Sequence, residues 1–373
     1  MDSLDAFAGT YNEKLVQLAQ EKRVPISGTF ELLPTCNMRC KMCYIQHAPA
    51  KNELQKPDFW VELFEQTIAE GMLFPLLTGG EPLLYPWFHE LYERLIRLPI
   101  HMCINTNGTL LDRETVAWLA KQPPRRLNIS LYGASDETYA RLCSNPNGFT
   151  QVMRAFELLR EYGIPFRVHS PMVPENEGDY QAIIDICNRL QLPLNRAYYM
   201  FPAYRKDNGE MTTDGRFSPT EMAKVAMRYK TDILHKDTRE YKQFILLNSQ
   251  AQITPQIYTA YVYNHIDCKS GKCTFWVDWR GSISGCGMHN QLAYDLHEVS
   301  FKDAWQRIVK DTENIRISEK CKFCKYRSIC PVCPAACFCE TGKMDGTPEY
   351  LCQYCEAFGA MLMDERKRLF GDQ

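Results

Sequence analysis

From Ser27 onward the chain repeats one unit, a short apolar run followed by a segment of helical periodicity, and this repetition constrains the fold more than any other feature. The apolar runs are Thr29–Leu33, Pro75–Thr78, Met102–Thr106, Leu127–Leu131, Phe166–Ser170 and Asn195–Met200. Strands separated by helices pair in parallel through right-handed crossovers, so six such units predict an α/β fold with a parallel sheet. After the first run, Trp60, Leu63, Phe64, Thr67 and Ile68 share one helical stripe, with Pro57 near its start and Gly71 past its end. Helices over Gln151–Tyr162 and Tyr180–Leu190 follow the same pattern. Pro75 brings no N–H to a ladder, which places the start of the second strand after it. Periodicity leaves open whether the sheet closes into an eight-stranded barrel or stays partial.

Both flanks of this repeat have their own texture. Tyr11–Glu21 reads as an amphipathic helix, with Thr10 and Glu13 at capping-box spacing and Tyr11, Leu15 and Leu18 on the face expected to pack on the main domain. Ser218-Pro219-Thr220-Glu221 is a strong helix start, with Ser as N-cap, Pro at the first position and Glu three residues on. From about Asp267 the chain turns to short Gly- and Cys-punctuated segments, and Asp364–Arg368 reads as a solvated helix end. The expected divisions are a helical segment over 1–26, a barrel over 27–217, a bridging helical segment over 218–266, and a cysteine-rich domain with a C-terminal helix over 267–373.

Charge and cysteine usage narrow the chemistry. With 43 basic and 45 acidic residues the formal charge is −2, which gives no electrostatic footprint for nucleic acid or anionic lipid. No apolar run approaches the roughly 18 residues of a membrane span, and Met1–Thr10 lacks a basic-then-apolar leader. The expectation is a soluble cytoplasmic protein with neither nucleic acid nor membrane as partner. Seventeen cysteines without a secretory signal then argue against disulfides and for metal or redox ligation.

Three of them, Cys36, Cys40 and Cys43, follow the first strand at spacings of four and three. Three thiolates can hold a four-iron cluster with one iron left unligated, whereas clusters that only carry electrons normally use four. An open coordination position marks a reaction site. The plain alternative is a zinc knuckle. In a parallel barrel the chemistry sits on loops after the strands' C-terminal ends, where Gly79-Gly80-Glu81-Pro82 follows the second strand and Asn105-Thr106-Asn107-Gly108 the third. Alternation along the fourth strand puts Asn128 and Ser130 on one face and Ile129 and Leu131 on the other.

The Cys-x3-Cys-x2-Cys spacing followed by aromatic Tyr44 resembles the signature of the radical SAM superfamily. The resemblance implies a partial (β/α)6 TIM-like barrel in which Cys36, Cys40 and Cys43 hold a 4Fe-4S cluster. S-adenosylmethionine would chelate the open iron and be cleaved reductively to a 5′-deoxyadenosyl radical. Gly79, Gly80 and Glu81 look like the family's GGE motif, which receives the cofactor's methionine amino group. Asn105 and Ser130 would touch its ribose or carboxylate and Arg141 would pair with that carboxylate, against the alternative of ordinary barrel-lining polar groups. Tyr132 stands where many relatives have Asp.

The later cysteines are similar to a SPASM domain, a C-terminal cysteine-rich module holding two auxiliary 4Fe-4S clusters and bringing the total to three. Carried over, Cys321, Cys324, Cys330 and Cys352 would ligate one cluster and Cys268, Cys273, Cys286 and Cys333 the other. The family's next-to-last spacing would fall on Pro334, which leaves Cys333 or Cys337 for that ligand, and Cys273 stands at a position that some relatives leave open. Zinc ribbons at Cys321-x2-Cys324 and Cys330-x2-Cys333 are the alternative. Cys103 and Cys187 read as buried hydrophobes, while Cys143, Cys337, Cys339 and Cys355 remain unassigned.

Functionally, the resemblance implies an oxidoreductase that abstracts hydrogen from a ribosomally made peptide and leaves a thioether or carbon–carbon cross-link or an epimerised residue. Expected partners are the peptide or protein substrate and a flavodoxin or ferredoxin as electron donor; since only about 28 residues precede the first strand, fewer than the roughly 40 a self-sufficient module needs, leader recognition would fall to a separate leader-binding protein, to the auxiliary domain, or to no leader at all. The enzyme alternative is formylglycine formation on a sulfatase, against which stands Gly287, where those enzymes carry Asp. The alternative of another class is a non-catalytic iron–sulfur electron carrier or zinc scaffold, which would have no use for Gly79-Gly80-Glu81. The acid or base remains unassigned, and His169 reads equally as a core histidine.

Overall fold

The computed structural model describes residues 10–45, 54–202, 215–253, 268–288 and 291–371, and all six expected strands form. They are β1 (Ser27–Glu31), β2 (Phe74–Thr78), β3 (Cys103–Thr106), β4 (Arg126–Ser130), β5 (Phe166–Pro171) and β6 (Leu194–Ala197). Each pairs in parallel with the next. Helix α1 (Thr10–Lys22) precedes them, and α2 (Pro57–Ala69), α3 (Phe88–Leu95), α4 (Arg113–Leu119), α5 (Asp136–Cys143), α6 (Gly148–Glu161) and α7 (Tyr180–Leu190) make the crossovers. The result is a partial (β/α)6 barrel of TIM type.

Side-chain alternation decides which face meets the helices. Phe30 packs at a tilt on Phe64 of α2 at 4.3 Å between ring centroids, and Phe166 on Phe156 of α6 at 5.1 Å. Leu127, Ile129 and Val168 are buried on that same outer face. Each such side chain contributes roughly 1.5–3 kcal/mol on burial. The opposite, concave face carries Cys103, Asn105, Arg126, Asn128, Ser130, Arg167 and His169, which the register sets side by side.

Three details differ from the sequence reading. Strand β2 begins at Phe74, ahead of Pro75. Phe74 N–H donates toward β1, to Ile26 O, so the donor missing from Pro75 faces β3, whose pairing starts only at Leu76. In α1, Leu15 and Leu18 are exposed, while Ala19 and Val16 pack with Ile26, Phe74 and Cys273; the side chains of Thr10 and Tyr11 lie outside the described ones. The sheet is also longer than expected. β7 (Thr274–Val277) pairs in parallel with the free edge of β1, and β8 (Ser282–Ser284) and β9 (Ala293–Asp295) extend it antiparallel, giving the order β6-β5-β4-β3-β2-β1-β7-β8-β9.

Contacts divide the chain into two compact units. The barrel unit takes the described residues up to Ala197 together with Lys269–Glu313, so part of the stretch expected in the C-terminal domain belongs here because β7 completes the edge of β1. The other unit takes Tyr198–Pro202, Gly215–Cys268 and the chain from Asn314. Its helices are α8 (Pro219–Leu234), α9 (Arg239–Ile253), α11 (Glu319–Lys322), α12 (Pro334–Thr341) and α13 (Glu349–Phe370), α10 (Phe301–Glu313) being in the barrel unit. The expected capping box opens α8: Ser218 N–H donates to Glu221 Oε2 at 2.9 Å and Glu221 N–H to Ser218 Oγ at 3.4 Å. Tyr241 of α9 donates to Glu365 of α13 at 2.9 Å.

Candidate active site

At the C-terminal end of the barrel strands, two loops are zipped together by backbone. Past β1, Leu33 O accepts from Gly80 N–H at 2.8 Å and Thr35 O from Glu81 N–H at 2.9 Å, one residue before Cys36. The glycines are required for this approach. Gly79 has φ +154°, and a Cβ on Gly80 would sit 2.1 Å from Thr35 O. The β2 loop is thereby fixed against the cysteine loop.

Glu81 is fully buried at this junction. Its Oε1 accepts from Thr106 Oγ1 at 2.8 Å and from Leu83 N–H at 3.2 Å, and its Oε2 from Asn107 N–H at 2.8 Å. Burial nonetheless raises its pKa to about 7, the three donors opposing but not cancelling the desolvation. A carboxyl in this condition gains most from a cationic partner.

Cys36, Cys40 and Cys43 lie within charge–charge reach of one another. Burial pushes Cys36 and Cys43 up to about 12. The Cys36 sulfur accepts from Met38 N–H at 3.4 Å and from Asn107 Nδ2 at 3.7 Å. Cys40 is hydrogen-bonded with Cys143, which raises it well above its ordinary value, and the Tyr132 hydroxyl also reaches its sulfur. The backbone explains the pairing, because Arg39 N–H donates to Cys143 O at 2.9 Å and Lys41 N–H to Leu142 O at 3.1 Å. Among the described residues no three His, Cys, Asp or Glu side chains converge on one point as a single metal ion requires. A cluster that binds each thiolate through its own iron does not require it. Three neighbouring soft donors, protonated until a metal displaces their protons, fit a cluster.

The remaining expected cofactor residues are placed as follows. Tyr44 packs edge-on to Trp276 of β7 at 6.5 Å. Asn105 Oδ1 accepts from Asn128 Nδ2 at 2.7 Å. The Ser130 carbonyl accepts from Tyr139 OH at 3.5 Å. Arg141 is held by protein groups, donating to Glu175 O at 2.9 Å and lying 3.7 Å from Glu137. Asn107, Tyr132 and Cys143 were not singled out as site residues, although they touch Cys36 or Cys40. For Asn107 the Asn-Thr-Asn-Gly loop was the available signal; Cys143 reaches Cys40 through tertiary structure, for which no local pattern exists.

Within the second unit, Cys352 lies within charge–charge reach of Cys321, Cys330 and Cys324, and burial raises it to about 11. The four expected partners thus gather. Cys355 joins them: its thiol hydrogen-bonds to Cys330, which lowers Cys330 and raises Cys355. Cys333 is within reach of Cys268 and Cys330, and Cys337 of Cys333, Cys321 and Cys330. Cys333 also caps α12, its sulfur accepting from Ala336 N–H at 3.3 Å. In the barrel unit, Cys286 follows β8, its sulfur accepting from Met288 N–H at 3.4 Å, and Cys273 is buried in the apolar cluster with Ala19, Ile26 and Phe74. Cys103 and Cys187 are buried, as expected of hydrophobes.

Residues 30–187 match the radical SAM superfamily. An AdoMet-dependent heme synthase of Methanosarcina barkeri is 25% identical over 325 residues, covering 84% of this chain and 92% of the relative. The sporulation killing factor maturation protein SkfB of Bacillus subtilis is 26% identical over 205 residues, 55% of this chain and 49% of the relative. The crystal structure of Streptococcus suis SuiB bound to the precursor peptide SuiA superposes with a TM-score of 0.68 at 17% identity, over 92% of this chain and 80% of that one. The barrel, the cysteine loop and these likenesses agree: residues 30–187 form a radical SAM domain, in a chain that shares its fold with SuiB.

Proposed function

We propose that this radical SAM enzyme modifies a ribosomally made peptide, forming a thioether or carbon–carbon cross-link or an epimerised residue. The observation that carries its radical chemistry is the junction of Cys36, Cys40 and Cys43 with buried Glu81 on two loops that share backbone hydrogen bonds. A cluster on the three thiolates, with S-adenosylmethionine at its open iron, supplies the reductive cleavage that yields the hydrogen-abstracting radical. Glu81 binds the cofactor's ammonium and, in doing so, gives up the proton that burial favours. Gly79 and Gly80 let the backbone approach the cofactor, and Tyr44, Asn105, Ser130 and Arg141 border it. In the C-terminal region Cys321, Cys324, Cys330 and Cys352 would hold one auxiliary cluster and Cys268, Cys273, Cys286 and Cys333 the second, and an auxiliary cluster would supply an acceptor for the substrate's electron. A flavodoxin or ferredoxin supplies the reducing electron.

The peptide reading is supported by the SkfB match and by the fold shared with a structure solved with its precursor peptide. Formylglycine formation is disfavoured, because a Cβ on Gly287 would sit 2.3 Å from the Trp276 indole and the position admits no acidic side chain. One specific observation favours a second reading, a tetrapyrrole substrate: the heme-synthase relative matches nearly end to end. Anaerobic coexpression with the small peptides encoded beside the gene, followed by mass spectrometry, tests the first. A mass change that requires the three N-terminal cysteines supports it, and unmodified peptides alongside an altered porphyrin would replace it with the second.

A further inference from the structure

In the second unit, the segment between two of the expected auxiliary-cluster ligands is turned to solvent. Phe323 stands between Cys321 and Cys324 and is 81% exposed, more than any other large apolar side chain among the described residues. Four cations flank it in sequence, Lys320, Lys322, Lys325 and Arg327, and Glu319 is the one acid in that run. Glu319 pairs with Lys322, which leaves Lys320 and Lys325, both exposed, with no carboxylate partner among the described residues. Lys325 lies over the Tyr326 ring at 4.9 Å, and Arg327 lies within charge reach of Cys321 and Cys330. Glu349, the acid beside Cys352, accepts from Gln353 Nε2 at 3.2 Å. Over the whole chain the formal charge is −2, so this surplus of cations is local.

A single exposed apolar side chain is ordinary, and so is a solvated run of charge. Here the two coincide at the cysteines. Successive Cα atoms are about 3.8 Å apart, so a partner that covers Phe323 stands within about 8 Å of the backbone of both Cys321 and Cys324. An aromatic centre with a charged rim is the anatomy of a protein interface, and redox encounters are among the smallest of these. Cations around the ring select an acidic partner and steer its approach. We propose that Lys320, Phe323 and Lys325, with Lys322 and Arg327 beside them, form the docking surface for an acidic one-electron carrier of the flavodoxin or ferredoxin kind. This rests on reading Cys321, Cys324, Cys330 and Cys352 as cluster ligands, since only then does the surface lie over a redox centre. An acidic peptide would answer the same charge, but extended peptides are held in grooves or along sheet edges. Phe323 instead projects into solvent, where the face of a folded carrier can receive it.

The test is titration of an acidic flavodoxin into full-length, cluster-loaded enzyme, with iron determined in every preparation. Wild-type enzyme should bind it, and raising the salt from about 50 to about 300 mM should weaken binding about tenfold, because exposed charges are screened. Lys320→Glu, Lys325→Glu and Phe323→Ser should each weaken binding about fivefold or more while iron content and melting temperature hold. Lys121→Glu, the same charge change at an exposed lysine of the barrel unit, should bind as the wild type does. Full iron loading without flavodoxin binding, or surface variants that bind as the wild type does, would overturn the docking surface and leave the clusters standing. Wild-type enzyme that takes up no auxiliary iron would instead overturn the cluster reading, and the proposal with it. Polyglutamate that binds the wild type as tightly as flavodoxin does, with the same losses in the variants, would make the surface a site for acidic peptide and refute the carrier.

Discussion

Replacing Glu81 by Gln keeps its volume and removes the charge proposed to meet the cofactor's ammonium. Hydrogen bonds to charged groups contribute roughly 1.5–3 kcal/mol, so S-adenosylmethionine should bind about 10- to 100-fold more weakly while iron content is retained. Calorimetric titration of the reconstituted protein measures this, and unchanged affinity would remove Glu81 from the site. His169 offers a pH test. Its folded pKa, near 3, is below its ordinary 6.5. The unfolded chain therefore takes up a proton that the folded chain refuses, and stability falls as pH drops from about 6.5, by about 2 kcal/mol at pH 5. His169→Gln should show a smaller loss of melting temperature between pH 7 and 5 than the wild type; an equal loss contradicts the assignment. The cysteine loop and Glu81 were legible in sequence because their spacing is local. Cys143 beside Cys40 and Cys355 beside Cys330 were not, since a thiol's neighbours across the fold leave no mark on its own segment.

Strands and helices were legible where burial is periodic. β1 to β6 appear within a few residues of their expected ends because one face of each is packed on helices, and α7 spans the expected Tyr180–Leu190. β7, β8 and β9 were not foreseen: runs of three or four residues carry too little alternation, and what makes Thr274–Val277 a strand is the open edge of β1. Two elements can be tested. Gly80→Ala puts a Cβ 2.1 Å from Thr35 O and must part the two active-site loops. Overpacking costs typically about 1–3 kcal/mol, and loss of S-adenosylmethionine binding with a modest fall in melting temperature is expected. Normal binding in that variant would mean that the close approach is dispensable. In the second unit, α12 carries Glu340, whose carboxylate pairs with Arg216 at 2.6 Å, both side chains about nine-tenths covered, and accepts from Tyr199 OH at 3.0 Å. Removing one partner of a buried pair costs roughly 3–5 kcal/mol. Glu340→Ala should therefore loosen α12, which Cys333 caps, and lower auxiliary iron content without affecting the N-terminal cluster; unchanged iron and unchanged melting would refute that link.

Taken as one molecule, the chain combines a barrel that sets three thiols and a buried carboxyl at the mouth of its strands with a second unit that gathers Cys321, Cys324, Cys330 and Cys352. Three cubane clusters would bring on the order of twelve irons per chain, and replacing Cys36, Cys40 and Cys43 by Ala should remove about a third of that iron. Cleavage of S-adenosylmethionine is the most direct test of the three N-terminal cysteines. Anaerobically reconstituted protein, mixed with S-adenosylmethionine and dithionite, is analysed for 5′-deoxyadenosine and methionine alongside the triple alanine variant. The wild type should give both products and the variant neither. Stoichiometric zinc in place of iron after anaerobic reconstitution, or full iron loading with no 5′-deoxyadenosine formed, would contradict it.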